Sequence, residues 1–386
     1  MGTTAERENL VEAIAERLAT VIDPELHQNI VELGMVGAIA VDDSGLATVS
    51  VALTTPSCPL RDQIERDVRG AVTSLEGISG LQITIIAMDP AAKAKLMDRA
   101  RRGAQEAAPV TSIPSSARIL GISSGKGGVG KSSITVNLAV ALARRGLQVG
   151  VLDADIWGFS VPRLLGISGP VEAKGGKMLP KRLPVGPGEL RVLSMGFLAG
   201  EDQAIMWRGL LLSRALQQFI EDASWEDIDY LLIDLPPGTG DVQMGLARLL
   251  PRTELVLITT PPLAAQNVAA RAADMARRGN LRVAGVVENM SDFTCEHGTS
   301  YQLFGHGGGQ RLADQLGVPL IGSIPLDPAV VLGGDSGHPV AGTDSALGLE
   351  FKALAERIAT QIAPTGVVEG CSARMLDAIE QAVATS

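Results

Sequence analysis

Apolar residues along this chain follow two rhythms, and the change between them divides it. Over residues 5–20, Leu10, Ile14 and Leu18 recur at helical spacing, with Val21 near the same face. Residues 35–41 and 47–53 are strand-like runs joined by Asp42-Asp43-Ser44-Gly45, which predicts a hairpin. Thr54-Thr55-Pro56-Ser57-Cys58-Pro59-Leu60 then opens a helix to about residue 74, and a third strand covers 81–87. Residues 1–102 thus form a small α+β unit. Residues 103–117 (GAQEAAPVTSIPSSA) are small, Pro- and Ser-containing and without period, so they read as a linker.

From residue 118 the rhythm changes. Strand-like runs fall at 119–123, 148–152, 190–194, 230–234, 254–259, 283–287 and 320–324, several of them near-continuous Val, Ile and Leu. Strands buried on both faces look like this. Helical stretches separate most of them, the last at 347–362. The expected fold is α/β: a doubly wound, mostly parallel sheet over 118–362, with ligands at the carboxyl ends of the strands. Residues 363–386 read as a tail with a helix over 373–384.

Composition narrows the function classes. The 386 residues are 46% hydrophobic but 3% aromatic, so the cores are aliphatic. A formal net charge of −10 argues against broad nucleic-acid binding. The N-terminal stretch MGTTAERENLVEAIAERL has charges throughout and no apolar core, unlike a signal peptide. No uninterrupted apolar run reaches about 18 residues, so no membrane span is expected. The three cysteines, Cys58, Cys295 and Cys371, are far apart, which fits a reducing compartment. The expectation is a cytoplasmic protein without a membrane or nucleic-acid partner.

The strongest chemical signal is Gly125-Lys126-Gly127-Gly128-Val129-Gly130-Lys131-Ser132, between an apolar strand and a helix-like run. A strand, a Gly-rich turn and a helix in this order form a phosphate-binding loop. Glycines let backbone N–H groups face phosphate oxygens, and the helix N-terminus adds its positive dipole end. Lys131 would reach the β- and γ-phosphates, and Ser132 would ligate Mg²⁺, with Ser133 next to it on the ATP side. Lys126 is an additional lysine beside the phosphates.

Four further stretches close strands where a nucleotide would lie. Asp153 and Asp155 follow one strand; both can approach Mg²⁺ and its waters, and Asp155 can orient or deprotonate the attacking water. Asp234 ends an apolar strand before Leu235-Pro236-Pro237-Gly238, as in an enzyme that holds Mg²⁺ through water. The stiff turn after it is placed to change conformation when the γ-phosphate is lost. Asn289, at another strand end, has a donor and an acceptor for an adenine edge. The turn Ile324-Pro325-Leu326-Asp327-Pro328 can cover the base.

Cys58 stands at or before a helix N-terminus, which favours thiolate. It reads equally as a reactive or metal-ligating thiol and as a buried small apolar side chain. Asp23-Pro24-Glu25-Leu26, Leu33-Gly34-Met35-Val36 and Thr54-Thr55-Pro56-Ser57-Cys58-Pro59 resemble the MIP18-like (DUF59) family over about residues 7–100. That resemblance implies a link to iron–sulfur cluster assembly, with Cys58 as the motif cysteine.

The phosphate loop with its Lys126 resembles the deviant P-loop ATPases of the SIMIBI class, which includes MinD. The resemblance implies a homodimer in which Lys126 touches the partner's phosphates. Asp153-Ala-Asp155-Ile-Trp-Gly158, Met206-Trp207-Arg208-Gly209, Asp234-Leu-Pro-Pro-Gly-Thr-Gly-Asp241 and Glu288-Asn289-Met290-Ser291 are similar to the Mrp/NBP35 (ApbC-like) iron–sulfur cluster carriers. This implies ATP, Mg²⁺ and a 4Fe–4S cluster, and apo iron–sulfur proteins and assembly machinery as partners. The family's C-x-x-C departs here: Cys295 is present, but Gly298 stands three residues on. His297 is either a substitute ligand or an exposed loop histidine, and Cys58 or a client can also supply ligands.

Competing functions rank lower. A MinD- or ParA-type positioning ATPase needs a basic membrane helix or a DNA-binding cluster, and 373–384 carries Asp377 and Glu380 against Arg374. A nitrogenase-reductase-type electron carrier needs two cluster cysteines in the nucleotide domain. A scaffold ATPase that has lost its own cluster is the live alternative.

Overall fold

The computed structural model describes residues 4–365 except 25, 27, 54–60, 107–108, 156–157, 198–208 and 239–240. Cys58, Cys371, Trp157, Met206, Trp207, Arg208 and the helix expected over 373–384 lie outside the described residues. Two compact units, Met1–Ala107 and Ala108–Ser386, divide the chain.

In the first unit, α1 (Thr4–Leu18) precedes β1 (Val36–Val41), β2 (Leu46–Leu53), α2 (Arg61–Thr73), β3 (Gly80–Ala87) and α3 (Pro90–Glu106). The β1–β2 hairpin closes because the Asp42 carboxylate accepts from the N–H groups of Ser44 and Leu46 while Gly45 takes φ +80°. β3 then pairs parallel to β2. β2 alternates, burying Val49, Val51 and Leu53 in one core with Ile14, Leu18, Ile64 and Val68.

α3 corrects the linker reading. Asp89 accepts the Ala92 N–H at 2.7 Å at the helix start, and Leu96 and Ala100 bury into the same core. Residues 103–106 are the end of this helix, whose few apolar positions give a weak periodic signal. The second half of the expected linker is held as well. Ile113 and Ala117 are buried in the second unit, where the Arg252 guanidinium donates to the carbonyls of Ile113, Pro114, Ser115 and Ala117. A distant arginine, invisible to local pattern, fixes this segment.

The second unit begins β4 (Arg118–Ser124), α4 (Lys131–Ala143), β5 (Gln148–Asp153) and α5 (Val161–Leu164). A small hairpin, β6 (Glu172–Lys174) and β7 (Lys177–Leu179), leads to β8 (Lys181–Val185), β9 (Gly188–Ser194) and α6 (Gly209–Glu221). Next come β10 (Tyr230–Asp234), α7 (Asp241–Leu249), β11 (Glu254–Thr259), α8 (Leu263–Arg278) and β12 (Arg282–Asn289). A second hairpin, β13 (Phe293–Thr294) and β14 (Ser300–Tyr301), precedes α9 (Gly308–Leu316), β15 (Leu320–Ile324), α10 (Pro328–Asp335) and α11 (Ala346–Arg357). The last helix continues as a π-helical turn over Ile358–Ile362, so the helix expected over 347–362 changes its winding near the end.

The sheet runs β15-β12-β11-β4-β10-β5-β9-β8, parallel throughout except for β8, which pairs antiparallel to β9 at the edge. Leu120, Ile122 and Leu232 face a core shared with α4 and α11, whereas Ile119, Leu231 and Ile233 face one shared with α6, α7 and α8. This is the α/β architecture expected from the apolar runs. β8 was missed because its five residues alternate Lys, Arg and Pro with Leu and Val, the pattern of a half-exposed edge. Register then does the chemical work: Asp234 pairs opposite Ile122 on β4 and opposite Asp153 on β5.

Candidate functional site

The four glycines of the phosphate loop do different things. Gly125 is pressed against α8, where an added Cβ would lie 2.3 Å from the Val268 carbonyl carbon. Gly130 takes φ +80°, and a Cβ there would lie 2.2 Å from Asn289 Nδ2. Gly128 also has positive φ, yet around it and Gly127 there is nothing within 4 Å of a Cβ, so the mouth of the loop is open. Val129 is buried beneath, and Lys126 is exposed at the rim with its carbonyl accepting from Ser124 Oγ at 3.0 Å.

Lys131 starts α4 and its side chain is buried, 2.7 Å from Asp234 Oδ1 and 3.9 Å from Asp155 Oδ2. The Asp234 carboxylate, inaccessible at the end of β10, also accepts from Ser132 Oγ at 2.6 Å and Thr135 Oγ1 at 2.9 Å. Lys131, Ser132, Asp155 and Asp234 are therefore brought together. Ser133 is half-buried, and its backbone carbonyl accepts from Asn137 Nδ2 at 2.9 Å.

Asp153, opposite Asp234 on the neighbouring strand, has its own set of partners. One oxygen accepts from Ser194 Oγ and the N–H groups of Ser160 and Val161, and the other from the Asp155 N–H. Held from β9, from the start of α5 and by the Asp155 N–H, Asp153 anchors the loop after β5. Burial first, and the neighbouring Asp234 second, push its carboxyl up to about 7.

Asn289 is buried, and its Nδ2 donates to the Val129 carbonyl at 2.8 Å. It supports the phosphate loop from the side opposite Asp234. Ile324 pairs opposite Asn289, which sets the half-buried Pro325 at the same end of the sheet. Thr135, Ser194 and Gln243 were missed by sequence reasoning. Thr135 and Gln243 are polar residues inside otherwise apolar helical faces, which is the signal that marks them.

Cys295 stands in the tight turn of the β13–β14 hairpin. Its N–H donates to the Thr299 carbonyl at 3.0 Å and its carbonyl accepts from Gly298 at 2.9 Å. Backbone N–H groups of His297, and then of Thr299, point at its sulfur and lower the thiol below its ordinary value. His297 is 81% exposed beside Glu296. Gly298 takes φ +80°, a conformation built for the turn. Among the described residues no group of three or more His, Cys, Asp or Glu is arranged to hold a metal ion. Phe293, Leu303, Leu326, Pro328 and Val331 line an adjoining apolar cavity of about 220 Å³. No described helix is long and apolar enough to cross a membrane.

Comparison with known proteins places this geometry. A family model described as NUBPL iron-transfer P-loop NTPase matches residues 115–363, and one described as iron–sulfur cluster assembly protein matches 11–85. The iron–sulfur cluster carrier protein of Mycobacterium leprae is 42% identical over 363 residues, covering 92% of this chain and 94% of that one. A protein of the same name from Deinococcus radiodurans is 42% identical over 354 residues, covering 91% and 95%. Among solved structures, a nucleotide-binding protein from Archaeoglobus fulgidus in complex with ADP is 33% identical with a TM-score of 0.54, covering 65% of this chain and 96% of that one. The open glycine loop, the buried Lys131–Asp234 pair and these alignments along most of the sequence lead to one assignment: the chain belongs to the NUBPL iron-transfer family of P-loop NTPases.

Proposed function

We propose that this chain is a Mg²⁺-dependent ATPase that carries iron–sulfur clusters as cargo and passes them to apoproteins, working as a homodimer. The observation that carries the reading is the set Lys131, Ser132, Asp155 and Asp234 converging behind an open glycine loop. Relatives aligned over nearly the whole chain are named iron–sulfur cluster carriers.

The residues fit the groups the reading needs. Space at Gly127 and Gly128, the N-terminus of α4 and the Lys131 ammonium suit a polyphosphate. The Ser132 hydroxyl and the Asp234 carboxylate are hard oxygen donors that would hold Mg²⁺ directly or through water. Mg²⁺, when bound, would neutralise charge on the phosphates. Lys131 binds and orients the terminal phosphates, Asp155 orients the attacking water and draws on its proton, and Asp153 holds Asp155 there. Exposed Lys126 reaches across to the partner's phosphates. Asn289 and Pro325 flank the base.

Cys295 offers the cargo a sulfur biased toward thiolate. A four-iron cluster normally takes four thiolates, and two copies supply two Cys295. Cys58, His297 or a client's own thiols complete the shell. The positive φ of Gly298 favours the second reading, a scaffold ATPase without a cluster of its own.

Anaerobic reconstitution with iron and sulfide separates them. Wild type is expected to gain thiolate–iron absorption and bound iron; Cys295→Ala loses both while its ATP turnover stays within about twofold, because Lys131, Ser132 and Asp234 take their side-chain partners from α4, β10 and the loop after β5. Cys58→Ala reports whether the first unit contributes. A wild-type protein that takes up no iron defeats the carrier reading and leaves the scaffold.

A further inference from the structure

Asp292 lies outside the phosphate site, at the foot of the hairpin that carries Cys295. That hairpin is slight. β13 and β14 pair through two rungs, Phe293 opposite Tyr301 and Thr294 opposite Ser300. A lone two-stranded hairpin is marginal in water even at ordinary length. Yet the shape of this one matters, because it holds the N–H groups of His297 and Thr299 at the Cys295 sulfur.

Asp292 spans the foot with all three of its oxygens. Its carbonyl accepts the Leu326 N–H at 2.7 Å, which ties the outgoing strand to the turn after β15. Its Oδ2 accepts from Ser300 Oγ at 2.9 Å, across the hairpin on the returning strand. Its Oδ1 accepts from Ser291 Oγ at 3.0 Å, and the Ser291 N–H donates to the Ile324 carbonyl at 3.1 Å. One half-buried residue thus joins the two strands of the hairpin to the end of β15. Hydroxyl donors to a carboxylate make charge-assisted bonds, about twice as strong as neutral ones.

The longer excursion that contains the hairpin is closed elsewhere. At the start of α9 the Gly309 N–H donates to the buried Glu288 carboxylate, a separate neck for residues 289–308. Phe293 also lines the apolar cavity with Leu303, Leu326 and Val331. Losing the Asp292 carboxylate therefore loosens the hairpin without releasing the segment that carries it.

We propose that Asp292 is a positioning residue for the Cys295 thiol: its carboxylate staples the returning strand and so holds the turn that presents the sulfur. The proposal rests on the carrier reading for its purpose and on the hydrogen bonds alone for its geometry.

Three variants of the full chain test it beside wild type. Asp292→Ala removes the carboxylate but keeps the carbonyl bonded to Leu326. Ser300→Ala removes the cross-strand donor. Asp292→Asn keeps an acceptor for Ser300 and turns its amide donor toward Ser291. Hydrogen exchange over residues 293–301 is followed by mass spectrometry. After anaerobic reconstitution, the rate at which bathophenanthroline strips bound iron is measured on the same proteins. Asp292→Ala should speed exchange over the hairpin by about tenfold, the protection supplied by one hydrogen bond to a charged group. Iron should be stripped about tenfold faster as well, the low end of what ligand-orienting partners contribute to metal affinity. Ser300→Ala should shift both readouts in the same direction, and the double variant should add little to Asp292→Ala. Asp292→Asn should stay close to wild type in both. An unchanged hairpin in Asp292→Ala overturns the proposal, as does Asp292→Asn behaving like Asp292→Ala. Faster exchange spread evenly over β12, α9 and the hairpin with a lowered Tm means ordinary packing and also overturns it. So does a loosened hairpin that keeps its iron as wild type does. If Asp292→Ala fails to fold, Ser300→Ala decides alone. Wild type that takes up no iron defeats the carrier reading, and the exchange comparison still decides whether Asp292 holds the turn.

Discussion

Two turns at the same end of the sheet handle their chemistry in opposite ways. Around the phosphate loop, Asp234 is wholly buried and Lys131 is 6% exposed. Lys131, Ser132 and Asp234 each have two or more partners there, from α4, β10 and the loop after β5. The Cys295 turn hangs from strands of two residues each, and Glu296 and His297 beside it are 86% and 81% exposed. Dense partners give pre-organisation, and sparse ones give low local stability and open access. At the phosphate end the buried side chains hold one another in place. The cysteine end presents one polarised sulfur on a short exposed hairpin.

The comparison would break most visibly at Lys131. Lys131→Ala leaves Asp234 buried with two hydroxyl partners and no cation. ATP turnover is expected to fall by about 10²–10³, the usual loss for one removed charge-stabilising group, while iron taken up at Cys295 in anaerobic reconstitution is retained. Phosphate release and bound iron measured on the same samples check both halves. Iron lost in step with turnover would mean that the two ends are one structural unit.

A matched pair of glycines sharpens it. Gly130 and Gly298 share φ +80°, but a Cβ on Gly130 meets Asn289 Nδ2 and a Cβ on Gly298 meets nothing within 4 Å. Both alanine variants carry left-handed strain of about 1–2 kcal/mol. Gly130→Ala must also displace the Asn289 bond to Val129, which adds about 0.5–1.5 kcal/mol. Denaturant midpoints should therefore order wild type, Gly298→Ala, Gly130→Ala. Equal costs would show that the phosphate loop yields as easily as the hairpin.

What could be read in advance follows the same division. The strands were legible because burial on both faces leaves runs such as Tyr230-Leu231-Leu232-Ile233, and the phosphate loop because its chemistry is contiguous. Thr135, Ser194 and Gln243 were not, since their roles depend on which strands lie side by side, and parallel register places Asp153 against Asp234 across a long stretch of chain. The partners of Asp153 were hidden too, because the N–H groups of Asp155, Ser160 and Val161 carry no sequence signal. The 103–117 segment failed in the same way, since Arg252 organises it from afar.

Asp153 gives a pH test of the buried end. Its carboxyl is pushed up to about 7 in the fold, against about 3.9 for an unfolded aspartate. The folded chain therefore binds more protons than the unfolded one between those values, and stability falls as pH rises through that window. Asp153→Asn does not titrate, so its stability should change less between pH 5 and 7.5 than that of wild type. Urea midpoints at the two pH values measure this. Identical slopes would place the carboxylate in a better-solvated setting than the Ser194 and backbone contacts describe.

The smallest effect expected is at the open end. Cys295 is lowered by N–H groups of a single turn, so its thiolate persists to a lower pH than that of an ordinary cysteine. Alkylation by iodoacetamide, followed by mass spectrometry of the Cys295 peptide, should show a midpoint pH below that of the same peptide in urea. Coincident midpoints would mean that the turn does not hold its N–H groups on the sulfur. A lowered midpoint combined with fast alkylation has a specific meaning here. The sulfur competes well against protons for a metal, yet nothing encloses it. That pair of properties is what the proposed carrier role asks of a thiol, whereas at the phosphate end Lys131, Ser132 and Asp234 are fixed by one another beneath an open glycine loop.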